Sequence, residues 1–169
     1  MWRLFTIYLD IAFLRAGPQA LPSASLLSVL SVLAYFSSTL LSQVLAGSAD
    51  QAIGLATTVT VLLIAMTLLV LRLRGVMVRA PQTLSALAGT GTLLNLLMLP
   101  MSLLIAQSEG ALAPALTLTV LVVFFWSFAL DGHILRHALS VSFTEGVLVA
   151  TLFFAVGASF NHWLFNTPA

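Results

Sequence analysis

With 169 residues, 60% of them apolar and 7% charged, and a mean hydropathy of +1.12, the chain has too little polar surface to clothe a water-soluble domain, which carries roughly a quarter charged residues. All six basic residues are arginine and the formal net charge is +1, so neither a nucleic-acid-binding face nor a polybasic lipid-binding patch can be assembled. The absence of cysteine removes disulfides, thiolate metal sites, iron–sulfur clusters and cysteine nucleophiles together.

The first segment, residues 1–16, reads as an amphipathic helix lying in a membrane interface. Arg3, Thr6 and Asp10 recur at helical spacing and draw one polar stripe on a surface otherwise rich in aromatics, among them Trp2 and Phe5. The segment is too short to span, and Asp10 interrupts the apolar core that a signal peptide needs, so it is expected to stay in the mature protein. Arg3 and Arg15 are the expected company of Asp10. Gly17 and Pro18 stop this helix.

Five apolar stretches then approach the roughly 20 residues that a helix needs to cross hydrocarbon, where backbone amides find no water. They run from about 26–45, 52–70, 84–105, 112–130 and 147–165, and these cores hold no Asp, Glu, Lys or Arg. The breaks are short and carry turn chemistry: Gly47 to Asp50, Arg79 to Pro81, Ser108 to Gly110, and Asp131-Gly132. The expected fold is all-α, a single membrane domain over 1–169 with five spanning helices inside 25–166. All six arginines precede the first span or lie in the second and fourth breaks, whereas the opposite side holds only Asp50 and Glu109. The positive-inside rule therefore predicts a cytoplasmic N-terminus and an external C-terminus. Trp126 and Trp163 suit interfacial belts.

Polar residues in or near the spans are the candidates for function. In the third span, Gly89 and Gly91 let backbones approach and Asn95 can bond across a helix contact, which marks a packing or partner-binding face; the alternative is a ligand or lipid groove opened by Pro100. His133 and His137 stand at i and i+4 with Asp131 nearby, the spacing of a metal site, but a polar loop explains them as well, since Gly132 reads as a helix break and no distant ligand is apparent. Glu145 is either an ion-coupling carboxylate or, with Ser142, the closing residue of an S-x-x-E capping box. No phosphate loop and no Ser-His-Asp arrangement is present, and no cofactor is expected.

The run Phe125 to Leu130, then Asp131 to Ser140, then a final apolar span resembles the Yip1 domain family: an aromatic helix end, a short basic loop and a closing helix. The stretch Gln82 to Gly89 is similar to that family's central helix. The resemblance implies five spans and a cytoplasmic N-terminus. Eukaryotic members serve vesicle trafficking through small GTPases, but this chain lacks their long N-terminal tail. An alanine- and leucine-rich, arginine-only composition suggests a bacterial inner membrane.

Two functional expectations result. The first is a non-catalytic interaction or accessory subunit, partnered by another integral membrane protein or a second copy through the N-terminal helix and the small-residue face of span three. The alternative is a small transporter, channel or lipid-handling protein using Asn95, Glu145 and the histidine cluster. The absence of a midplane charge favours the first.

Overall fold

A computed structural model of the chain describes residues 2–46, 49–107 and 112–166. The side chains of Trp2, Ala106 and Asn166 lie outside the described residues, as do Gly47, Ser48, the 108–111 break with Glu109, and the tail 167–169.

Among the described residues six α-helices follow one another: α1 (Trp2–Ala12), α2 (Ser25–Leu45), α3 (Ala52–Leu73), α4 (Ala80–Gln107), α5 (Leu112–Leu139) and α6 (Phe143–Asn166), with 3-10 turns at Pro18–Ala20 and Met77–Arg79. The last five are long and apolar enough to cross a membrane, so the chain is a multi-pass membrane protein. Large apolar side chains such as Leu26, Ile53, Leu118, Phe125 and Leu148 stand on the outside. In water such a surface would aggregate; against lipid it costs nothing, because acyl chains are as apolar as leucine.

The predicted third span begins at 84, but α4 already begins at Ala80, with Pro81 in its first turn where a missing N–H costs nothing. A larger correction concerns the fourth span. The predicted break at Asp131-Gly132 does not exist: α5 continues through both residues to Leu139, and the segment likened to a basic loop is helix. Gly132 is there for contact, since a Cβ added to it would lie 2.5 Å from Val147 Cγ2 and 2.8 Å from the Val147 backbone nitrogen. Gly146 faces it, with the Gly132 carbonyl oxygen against the place where its own Cβ would be. Two glycines thus let α5 and α6 cross with backbones touching.

One end of the bundle gathers the arginines. Here α1, α3 and α5 all stop in the same way, with a left-handed residue after the helix: Leu14 (φ 60°), Gly75 (φ 69°) and Ser140 (φ 56°). In each case the following N–H reaches back to a carbonyl of the last turn: Arg15 to Asp10 at 2.8 Å, Val76 to Leu71 at 2.9 Å and Val141 to Arg136 at 3.0 Å. Glycine adopts that conformation freely, whereas leucine and serine are held in it by what surrounds them. At the start of α6, the Ser142 backbone N–H and hydroxyl both donate to Glu145 Oε2 at 2.8 Å, and the Glu145 N–H donates to Ser142 Oγ at 3.3 Å. That reciprocal pairing closes the helix start.

The tight core also sits at the arginine end. Ile11, Leu21, Leu71, Leu130, Ile134 and Leu135 are fully buried there, and α1 is part of the packing. Tyr8 lies against Gly89 of α4, where any Cβ would collide with its ring, and its hydroxyl donates to Ser31 Oγ of α2 at 2.8 Å, because that serine's own proton goes to the Leu27 carbonyl. Burial pushes the Tyr8 hydroxyl up from its usual value of 10, against the opposing effect of Ser31. Trp126 Nε1 donates to the Ala12 carbonyl at 3.1 Å. The N-terminal helix is therefore bolted across α2, α4 and α5.

Candidate functional site

Continuation of α5 through Asp131 changes what that residue is. Leu139 lies about 12 Å further along the helix and Leu112 about 28 Å back, at 1.5 Å per residue. The carboxylate opens on two hollows inside the bundle, of about 320 and 360 Å³. Tyr35, Leu63, Leu87, Ser127 and Asp131 line both of them. Tyr35 stands at the middle of α2 and Leu63 at the middle of α3, while Phe153, at the middle of α6, lines the first hollow. The carboxylate thus lies among helix midpoints, not in a loop.

Asp131 has no hydrogen-bond or ion-pair partner among the described residues. An intramembrane carboxylate is costly and is ordinarily paired, so an unpaired one points to something it meets only at times. Around it the walls are aromatic. Phe124, Phe128 and Phe154 pack edge to face with ring centroids 5.1 to 5.5 Å apart, and all three line one hollow or the other. The first hollow runs to Asn161, whose side-chain oxygen is buried with no hydrogen-bond partner among the described residues; the second runs past Asn95 to Ser102. Both extend away from the arginine end, where the core closes them off.

The other sequence candidates divide clearly. Asn95 Nδ2 donates to Ser38 Oγ at 3.1 Å and to Thr39 Oγ1 at 3.0 Å, tying α4 to α2. Gly91 makes room for the Tyr35 ring, 2.7 Å from where its Cβ would be. With Gly89 under Tyr8, the small-residue face expected to receive a partner is filled by the chain's own α1 and α2. Phe5 is about half exposed.

Asp131, His133 and His137 do not converge. Asp131 faces the hollows, whereas His133 Nε2 donates to the Ala16 carbonyl at 3.1 Å, with the His137 ring edge on at 4.7 Å. The His137 ring nitrogens make long contacts, 3.4 Å each, to Gln19 and Arg136. Among the described residues no group of three His, Asp or Glu side chains could hold a metal ion. Glu145 lies outside the hollows, its carboxylate engaged by Ser142, and lines a shallow surface recess with Arg74. Sequence reasoning missed Tyr35 and treated Asp131 as solvated. The available signal was the apolar Ile134-Leu135 pair just beyond it, which a water-exposed loop has no use for.

No protein-family model, no curated protein and no solved structure matches the chain.

Proposed function

We propose that this chain is a small membrane protein that binds an amphipathic organic cation in the hollows beside Asp131, the carboxylate serving as counter-ion, and that it acts as a carrier or binding protein and not as an enzyme. The observation that carries this reading is the unpaired carboxylate lining two hollows among the midpoints of the spanning helices. Aromatic walls favour a cation through ring quadrupoles, and a site sheltered from water strengthens the attraction of the carboxylate.

This reverses the preference drawn from the sequence. The interaction-subunit reading rested on the absence of a charge among the spans and on a free small-residue face, and Asp131, Tyr8 and Tyr35 remove both supports. The residues expected to serve a transporter change too: Asn95 and Glu145 are held by structural bonds, and Asp131 takes their place.

Arginine placement supports a cytoplasmic arginine end, so the hollows would extend toward the outer side of what the composition suggests is a bacterial inner membrane. Kinship with the Yip1 domain proteins rests on sequence pattern alone.

The test is equilibrium binding of tetraphenylphosphonium to the purified chain in lipid nanodiscs. Saturable binding is expected, and Asp131→Asn should weaken it about tenfold or more, the worth of one charge-assisted contact. Undiminished binding by Asp131→Asn, with the variant folded, would contradict the proposal.

A further inference from the structure

A third hollow lies at the arginine end, apart from the Asp131 site, and its chemistry is of the opposite sign. It measures about 590 Å³ and is lined by Arg79 at the entry to α4, by Arg136 and His137 in the last turn of α5, and by Gln19, Ser140 and Ser142 from the connecting segments. Arginines far apart in the sequence meet there because the α5 end is fastened to α4. Arg79 Nη1 donates to the His137 carbonyl at 3.2 Å, the Ala138 carbonyl at 2.8 Å and Ser140 Oγ at 2.7 Å, which fixes its guanidinium at the rim.

Arg136 is held differently. Its guanidinium stands over the Phe143 ring at 5.7 Å, and its Nη2 makes only a 3.4 Å contact to His137 Nε2. Its Nε is buried and finds no acceptor among the described residues. A buried donor without an acceptor is rare enough in folded proteins to need an explanation, and a guanidinium is the most demanding donor of all. Among the described residues no carboxylate lines this hollow: Glu145, two residues beyond Phe143, is engaged by Ser142 and lines a different recess with Arg74. Two guanidinium groups lining one hollow that no described acid lines make an anion site, and arginine forks match the oxygens of phosphate. The hollow also opens at the ends of the spanning helices, the level at which lipid headgroups lie.

We propose that the hollow between Arg79 and Arg136 binds a phosphate group, borne either by an anionic lipid headgroup or by a soluble phosphorylated molecule. Two arginines converging from separate helices make a built site, which the sparse and scattered basic residues of the sequence did not suggest.

The experiment uses the full chain purified in a neutral detergent. Native mass spectrometry after addition of equal amounts of phosphatidylglycerol and phosphatidylcholine reads the lipid arm, and thermal unfolding under titration with inorganic phosphate reads the soluble arm. Retention of phosphatidylglycerol over phosphatidylcholine without a response to phosphate assigns a headgroup; a rise in Tm with phosphate assigns a soluble ligand. Arg136→Gln should lower the response of the positive arm about tenfold. It is the informative variant, because Arg79 also ties down the end of α5. Equal retention of the two lipids together with an unmoved Tm would overturn the proposal on the unaltered protein alone, and a folded Arg136→Gln that behaves as the original chain would overturn it as well.

Discussion

Gly132 and Val147 touch backbone to side chain and backbone to backbone where α5 crosses α6, leaving no space for a methyl group on the glycine. A Cβ built on Gly132 would lie 2.8 and 2.9 Å from the Val147 nitrogen and Cα, which cannot swing aside as the end of a long side chain could. Gly132→Ala should therefore force the helices apart at a cost of about 1–3 kcal/mol, the range for overpacking a close contact. Thermal unfolding in detergent measures this. An unchanged Tm would mean that the crossing is looser than described.

The anchoring of α1 gives a second prediction. Tyr8 fills the space over Gly89 and donates to Ser31, so Gly89→Val should dislodge α1 and expose the backbone around Ala12, while Tyr8→Phe should cost only one hydrogen bond, about 1 kcal/mol. Amide exchange over residues 2–16 separates the two effects. The sign with pH is also set. Burial raises the Tyr8 hydroxyl, so its contribution is complete below its ordinary value of 10 and is lost as pH climbs through the raised value. Tyr8→Phe should accordingly lose less stability above pH 10 than the original chain does.

Glu145 supplies a third. Its carboxylate is occupied by Ser142 at the start of α6, and it lines neither hollow beside Asp131. Glu145→Gln should lower the Tm slightly and leave tetraphenylphosphonium binding unchanged. A loss of binding with the Tm preserved would return ion coupling to this residue.

Which of these relationships could be read from the sequence follows from their range. The five spans were legible because the lack of water in hydrocarbon imposes length and apolarity on every crossing segment, and the Ser142–Glu145 cap was legible because its partners lie within one helical turn. Asp131 was misread for a physical reason. An acid beside a glycine followed by His133 and Arg136 has the composition of a solvated turn, and what keeps it helical is remote: Gly146 across the crossing, α1 covering the Leu130 to Leu135 stretch, and Arg79 holding the final carbonyls. Periodicity within one segment cannot report contacts made by another helix, whether it lies 14 positions away, as Gly146 does from Gly132, or 59, as Arg79 does from Ala138, and the same holds for Tyr8 on Gly89 and Tyr35 on Gly91. Even so, the small residues at 89 and 91 did mark α4 as the helix against which others pack closely.

The most direct test of the account is where residue 131 lies, and a chain without cysteine permits it cleanly. Single-cysteine variants Asp131→Cys and Val78→Cys, reconstituted in liposomes, would be exposed to a bulky, charged maleimide and to small, membrane-permeant N-ethylmaleimide. Val78→Cys, at an exposed position of the arginine end, should react with both reagents, and Asp131→Cys with the small one only. Equal reaction of the two variants with the charged reagent would put residue 131 in a water-exposed loop and remove the basis for a cation site inside the bundle.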